Sequence, residues 1–158
     1  MVVIRRLSAD DWAAFRSLRL AALAEAPYAY ASRLRDWQDA PEQRWRERLA
    51  VAGFHAIAEV EGRPAGLVSG LGTGDERELI SMWAAPWARG IGVGDALVRA
   101  VVAWARSEGA RSLALAVRDR NRPAIALYLR HGFVDDGALP LDRTAGVPER
   151  RMVLDLRA

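Results

Sequence analysis

Three glycines alternate with larger residues in the segment Arg89-Gly90-Ile91-Gly92-Val93-Gly94, and this segment restricts the possible folds of the chain more than any other feature. An apolar run at residues 79–85 precedes it, and a helical pattern that extends to residue 108 follows it. The start of a helix has backbone N–H groups without partners and a partial positive charge, so it binds phosphate well. The segment therefore predicts a strand, a glycine-rich turn and a helix whose first turn holds a phosphate group.

The composition removes several kinds of phosphate site and catalyst. All 23 basic residues are arginine, and without lysine neither a Walker phosphate loop nor Schiff-base catalysis is possible. The chain has no cysteine, which excludes disulfides, thiolate metal sites and an acyl-cysteine relay. Its two histidines, His55 and His131, are far apart in sequence, so we expect no metal site.

Length and charge are typical of one ordinary domain. The chain has 158 residues, of which 51% are hydrophobic, and this suits a single domain over residues 1–158. The net charge is only +3 and the arginines are spread along the chain, so we expect no nucleic-acid partner. No signal-peptide or membrane-spanning pattern is recognisable, so we expect a cytoplasmic protein without a membrane partner.

Hydrophobic periodicity predicts the order of elements along the chain. Strands are expected at residues 2–5, 54–60, 65–71, 76–84, 112–117, from 133 onwards, and 151–156; helices are expected at residues 8–25, 41–53, from the glycine segment to 108, and 121–132. Residues 26–40 and 137–149 are expected to be irregular. The order β-α-α-β-β-β-α-β-α-β-β predicts an α/β fold with one mixed sheet and helices on both faces.

A second motif lies downstream, where residues 121–133 read Asn-Arg-Pro-Ala-Ile-Ala-Leu-Tyr-Leu-Arg-His-Gly-Phe. This motif, the spacing Arg89-x-x-Gly92-x-Gly94 and the order of elements together resemble the GNAT acyltransferase superfamily. The resemblance covers nearly the whole chain, with the terminal parts matching in element order only. It implies a splayed central sheet, in which the fourth strand separates from the fifth at a bulge. It also implies direct transfer of an acetyl group from acetyl-CoA to a primary amine of a small molecule or peptide, by a monomer or homodimer.

The resemblance also implies which residues hold acetyl-CoA. In this family the glycine segment binds the pyrophosphate through backbone N–H groups, and the end of the fourth strand pairs with the pantetheine arm. Asn121 is expected to cap its helix and to contact the same arm. The cofactor-binding residues implied are Met82, Trp83, Ala84, Arg89, Gly90, Ile91, Gly92, Val93, Gly94 and Asn121.

Two residues are implied as catalysts. Tyr128 follows Asn121 by seven residues, or two helical turns, so both can lie on one helix face. The family uses a tyrosine here to protonate the sulfur of coenzyme A, and a packed core tyrosine is the alternative. Glu78 lies eleven residues before Arg89, where the histone-modifying branch has its glutamate base. An exposed strand-end charge, with a water chain as the base, is the alternative for Glu78.

The fourth strand carries Glu78 in its middle, where burial of a carboxylate is costly unless it has a purpose. If the strand is regular, Leu79, Ser81 and Trp83 point to one face of the sheet, and Glu78 and Ile80 point to the other. This assignment of side chains to the two faces depends on an unbroken alternation along the strand.

The acceptor pocket is the least determined part of the site. In the resembled fold, the first two helices and the loop between the last strands line it. Its candidates here are the aromatic residues Tyr28, Tyr30, Trp37 and Trp45, with Glu25 or Asp36 to attract a cation. Trp45 is alternatively a helix-packing residue, and residues 140–150 form either a lid or a loose loop.

Two other functions compete with the transferase. An NAD(P)-dependent Rossmann enzyme would use Gly90 and Gly92, but its third glycine position holds Asp95, and Pro86 lies between the strand and the glycines. A non-catalytic acyl-CoA sensor would keep the phosphate site and lose the acid and base. The presence of both Tyr128 and Glu78 favours an active enzyme.

Overall fold

The computed structural model describes residues 1–27, 33–51, 53–138 and 148–157. The strands are β1 Val2–Arg6, β2 Gly53–Val60, β3 Arg63–Leu71, β4 Glu76–Ala84, β5 Ser112–Arg118, β6 Val134–Ala138 and β7 Glu149–Asp155; the helices are α1 Trp12–Glu25, α2 Leu34–Trp37, α3 Glu42–Ala50, α4 Val93–Ser107 and α5 Arg122–Arg130. The predicted α/β fold and element order are confirmed. The short helix α2 lies in a stretch that was expected to be irregular.

The strands form one mixed sheet in the order β1-β2-β3-β4-β5-β7-β6. Strands β4 and β5 are parallel, and their paired residues extend only from Glu76–Ser112 to Glu78–Ala114. Beyond Glu78 the two strands have no paired residues and diverge. The expected splay of the central sheet is therefore present, and its opening lies between β4 and β5.

A bulge at Ser81 interrupts the alternation of side chains along β4. Ser81 has a φ of +59°, and the pairing with β3 moves from Ser69–Ile80 to Leu67–Trp83 across it. An extra residue in a strand exchanges the faces of all side chains that follow. Leu79 accordingly packs in the core beneath α4, whereas Trp83 packs in the core beneath α1 and α3. The bulge that the resemblance implies in the fourth strand is present, and the regular alternation considered for this strand ends at Ile80.

Two hydrophobic cores hold the helices on the opposite faces of the sheet. On one face α4 buries Leu97, Val98 and Val101, as its helical period predicts. On the other face α1 and α3 bury Phe15 and Trp45, again at predicted positions. Each large side chain taken fully out of water contributes about 1.5 to 3 kcal/mol, so these two contact surfaces are what orient α3 and α4 relative to β4.

His55 on β2 is buried between the sheet and α1, with 3% of its surface exposed. Its Nδ1 lies 2.7 Å from the Ser69 hydroxyl, and its ring contacts Phe15 edge-on at 5.9 Å. Burial, together with the positive charge of Arg48, lowers the pKa of His55 to about 4. The imidazole is therefore neutral in the folded protein at neutral pH.

A neutral buried histidine makes stability depend on pH. The unfolded chain binds a proton at His55 below pH 6.5, whereas the folded chain binds it only near pH 4. Stability is therefore complete above about pH 6.5 and lost toward about pH 4. Between about pH 7.5 and pH 4.5, we expect the unfolding free energy of the wild type to fall by about 2 to 3 kcal/mol more than that of His55→Gln.

Urea denaturation followed by tryptophan fluorescence at a series of pH values measures this difference. His55→Asn is a second variant without a titratable ring, and it should show the same reduced pH dependence as His55→Gln. Equal pH dependence in the wild type and His55→Gln would contradict the prediction.

Candidate active site

The glycine segment turns sharply into α4. Gly92 is the residue before the helix and has a φ of +94°, a left-handed conformation that L side chains rarely adopt. Within the described ranges, no acceptor of the chain is bonded to the N–H groups of residues 90–95, and the Ala96 N–H is the first to bond, to the Gly92 carbonyl at 3.0 Å. This arrangement leaves a row of unpaired donors at a helix N-terminus, which suits a phosphate group.

The glycines of the segment serve different purposes. A side chain at Gly90 or Gly92 would contact no other atom, so only their positive φ, +82° and +94°, demands glycine. A Cβ at Gly94 would lie 3.1 Å from the Leu127 side chain of α5, so this position allows α4 and α5 to approach closely. The close approach brings the first turns of the two helices to one cavity.

That cavity has a volume of about 510 Å³ and lies between the end of β4 and the starts of α4 and α5. It is lined by Ala26, Met82, Trp83, Ala84, Ala88, Arg89, Gly90, Gly92, Val93, Gly94, Asp95, Asn121, Pro123, Ala124, Leu127 and Arg130. The residues expected to hold the cofactor therefore come together, apart from Ile91. Ile91 is 53% exposed and does not line the cavity, so it contributes only backbone to the turn of residues 89–94, the candidate phosphate cradle.

Asn121 both caps α5 and lines the cavity. Its side-chain oxygen accepts a long hydrogen bond of 3.4 Å from the Ala124 N–H, and Pro123 occupies the first turn. The predicted cap is confirmed. A cap this long leaves the Asn121 side chain loosely held, so its amide can also donate to a molecule in the cavity.

Arg89 joins the cradle to β4 and α1 through Glu25. The Arg89 guanidinium forms an ion pair with Glu25 and donates from Nε to the Ala84 carbonyl at 3.1 Å. Trp83 Nε1 also donates to Glu25, at 3.0 Å. The Trp83 hydrogen bond, followed by that from Arg89, lowers the pKa of Glu25. Glu25 was expected to attract a substrate cation, but Arg89 already balances its charge.

Asp95 ties the N-terminus of α4 to the C-terminus of α5. Its Oδ1 lies 2.8 Å from His131 Nε2 and 3.1 Å from Arg130 Nη2. The His131 hydrogen bond, followed by that from Arg130, lowers the pKa of Asp95. Arg130 places a positive charge at the cavity, a role that sequence reasoning missed because its partner Asp95 is 35 residues away.

Tyr128 lies on α5 beside two residues of the cavity wall, Ala124 and Leu127. It is 5% exposed and packs edge-on against Phe133 at 5.7 Å. Burial raises the pKa of Tyr128, so the phenol keeps its proton throughout the physiological range. Tyr128 is thus a core residue that is not among the residues lining the cavity, and its phenol is protonated.

Glu78 marks the point where β4 and β5 diverge. It is exposed and lines a second cavity of about 260 Å³, together with Leu71, Ala116 and Arg151. In the part of the chain that is described, Glu78 forms no ion pair, whereas the nearby Glu76 pairs with Arg151. Glu78 is thus an exposed charge on the strand, as in the alternative interpretation, and its role as a base stays a prediction.

The candidate acceptor residues are only partly described. Tyr28, Tyr30 and residues 140–147 of the expected lid lie outside the described residues. Trp45 is 1% exposed and packs against Phe15 and Trp37, so it is a helix-packing residue. Trp37 lies at the edge of this cluster, where it remains partly accessible.

The described ranges, residues 1–27, 33–51, 53–138 and 148–157, lack two kinds of feature. In those ranges, no group of three or more His, Cys, Asp or Glu side chains is placed to hold a metal ion. None of the helices described is both long enough and apolar enough to cross a membrane.

Comparison with known proteins identifies relatives of this arrangement. Residues 12–133 match the model of the acetyltransferase (GNAT) family. An uncharacterized N-acetyltransferase of Methanocaldococcus jannaschii is 31% identical over 97 residues, or 57% of this chain, and the match spans only 42% of that relative's length.

Solved structures share the fold at low identity. A GNAT-family acetyltransferase of Streptococcus pneumoniae has a TM-score of 0.81 at 21% identity, covering 98% of this chain and 99% of that one. The spermidine N-acetyltransferase of Vibrio cholerae, solved with CoA and spermine, has a TM-score of 0.81 at 18% identity, covering 99% and 96%. The putative acetyltransferase yncA of Salmonella typhimurium, solved with acetyl-CoA, has a TM-score of 0.79 at 19% identity, covering 99% and 94%.

Proposed function

The chain belongs to the acetyltransferase (GNAT) family, and from this premise we propose that it transfers an acetyl group from acetyl-CoA directly to a primary amine of a small molecule or peptide. The observation that carries the proposal is the row of unpaired N–H groups at residues 90–95, which opens into the cavity between α4 and α5. The absence of cysteine from the chain supports direct transfer, because no acyl-cysteine can form.

The residues of the cavity are suited to acetyl-CoA. The unpaired N–H groups at the start of α4 suit a pyrophosphate, and the apolar walls at Met82 and Leu127 suit a pantetheine arm. Bound acetyl-CoA would supply an acetyl group already activated as a thioester. Asn121 would orient the arm from the opposite wall, through an amide that its cap leaves only loosely held.

Tyr128 and Glu78 are the proposed acid and base. Tyr128 holds a proton at Oη, and we propose that it gives this proton to a leaving group beside Ala124 and Leu127, its neighbours on α5 that line the cavity. Glu78 has a carboxylate free of any ion pair in the described chain, and it can accept a proton from the ammonium form of the acceptor. Glu76 is unsuited to this role because Arg151 holds it.

Titration calorimetry with coenzyme A and with NAD, followed by an acetyl-CoA consumption assay over an amine panel, tests the function. We expect binding of coenzyme A, no binding of NAD, and consumption of acetyl-CoA with at least one amine. Binding of NAD without coenzyme A would support a dinucleotide enzyme instead. Binding of acetyl-CoA with no consumption for any amine would support a non-catalytic acyl-CoA-binding domain.

Replacing the proposed base should change how the rate depends on pH. We expect Glu78→Gln to lower kcat/KM by about 10²-fold at neutral pH and to remove the acidic limb of its pH profile, since that limb reports protonation of the base. Glu76→Gln is the matched control on the same strand, and it should retain the limb. A Glu78→Gln profile with an unaltered acidic limb would assign the base to another group or a water chain.

A further inference from the structure

Arg48 on α3 is a half-buried cation without an acidic partner. Its Nη2 lies 3.4 Å from the Ser81 hydroxyl, a long hydrogen bond, and its guanidinium lies 5.8 Å from the centre of the Trp37 ring. Across the described chain, no carboxylate pairs with Arg48, although Arg46 on the same helix pairs with both Glu42 and Asp10. Burial lowers the pKa of Arg48, so its surroundings do not compensate its charge.

The contact with Ser81 places Arg48 beside the residue of β4 that precedes the cofactor cavity, although neither Arg48 nor Ser81 lines that cavity. Ser81 is the bulge residue of β4, and the next residue, Met82, begins the part of β4 that lines the cavity. The glycine segment lines the same cavity and follows β4 along the chain. If the phosphates occupy that segment, the acetyl group lies toward Ser81, and Arg48 approaches it from the face that α3 covers.

Glu78 supplies the opposite charge on the same strand. It lies three residues before Ser81, or roughly 10 Å along a strand, and its carboxylate is exposed and unpaired in the described residues. A cation without an acidic partner and an anion without a basic one therefore flank the bulge. A ligand that carries both charges would satisfy them together.

We propose that the acceptor is a primary amine that also carries a carboxylate, such as an amino acid, with the carboxylate on Arg48 and the ammonium toward Glu78. This inference rests on the proposed function and specifies its substrate class. A planar guanidinium binds carboxylate through two parallel hydrogen bonds, and a half-buried one without an acidic partner gains most from such a ligand. A polyamine would instead place a second cation near Arg48 and be repelled.

Matched acceptors test the proposal in the full-length protein. We compare leucine with isopentylamine, phenylalanine with phenethylamine, and 4-aminobutyrate with butylamine, and we include spermidine as a polyamine. In the wild type we expect kcat/KM for at least one acid to exceed that of its carboxylate-free partner by about 10-fold or more. Arg48→Gln should lower the value for that acid by about 10-fold or more, and the value for its partner by less than about 3-fold.

Arg44→Gln is the control, because Arg44 lies on the same helix, stacks on the same Trp37 ring at 3.9 Å and is exposed. It should retain the preference of the wild type. Arg48→Lys keeps the positive charge but cannot form two parallel hydrogen bonds to a carboxylate. We therefore expect its kcat/KM for the acid to lie between those of the wild type and Arg48→Gln. Melting temperature and acetyl-CoA affinity are measured for each variant. If the Arg48 variants do not fold, the ratio of kcat/KM between each acid and its carboxylate-free partner in the wild type decides whether the substrate class is correct.

Three results would overturn the proposal. The wild type could acetylate spermidine or the carboxylate-free amines better than every acid, or Arg48→Gln could lower kcat/KM equally for both members of a pair; each result contradicts the substrate class and leaves the transferase function intact. If the protein binds acetyl-CoA and acetylates no amine at all, the proposed function fails, and the substrate class fails with it.

Discussion

Tyr128→Phe is expected to lower kcat by about 10²- to 10³-fold while leaving the dissociation constant of acetyl-CoA within about 2-fold of the wild-type value. The substitution keeps the ring that packs on Phe133 and removes only the hydroxyl that holds the proton. Loss of a general acid affects the transition state more than the ground state, so turnover should fall without a loss of binding. Steady-state kinetics and titration calorimetry on the same preparation measure the two quantities.

Phe133→Leu is the control for packing, because it removes the ring contact and retains the Tyr128 hydroxyl. We expect this variant to be less stable but to keep most of its kcat. A Tyr128→Phe variant with wild-type kcat would show that the tyrosine only fills the core. A variant that binds acetyl-CoA weakly, yet turns over normally once loaded, would contradict the acid role as well.

Gly92→Val is expected to weaken coenzyme A binding by about 100-fold or more. Gly92 holds a φ of +94°, which a β-branched residue adopts only at a cost of about 1 to 3 kcal/mol. Relief of this strain rotates the backbone before α4 and turns the N–H groups away from the cavity. Each lost bond to a charged phosphate is worth about 1.5 to 3 kcal/mol, so the loss of one or two accounts for the effect.

Gly62→Val separates backbone strain from ligand binding. Gly62 lies in the turn between β2 and β3, has a φ of +78° and, like Gly92, has no neighbour near its missing side chain. We expect it to lower the melting temperature much as Gly92→Val does and to leave coenzyme A affinity unchanged. If calorimetry gives Gly92→Val the wild-type affinity for coenzyme A, the N–H groups of this segment do not hold the phosphates.

Elements with a clear local signal were predicted well. Helix α4 has an apolar period close to that of an ideal helix, and residues Leu97 and Val101 of that pattern are buried as expected. Strand β4 was predicted with its observed ends, yet its later side chains face the other way, because Ser81 adds one residue to the strand. A bulge depends on the pairing with β3, and residues near Ser81 in sequence carry no sign of it.

The candidate site likewise combines features with a local sequence signal and features that depend on the whole fold. The sequence by itself determined the strand, the glycine turn and the helix start, because left-handed glycines and unpaired N–H groups are properties of a few neighbouring residues. Only the tertiary structure decided which charges are compensated. Arg89 meets Glu25 across 64 residues, Asp95 meets Arg130, and Arg48 and Glu78 meet no opposite charge in the described chain. Such pairs form where packed elements bring side chains together, and packing is a property of the whole fold.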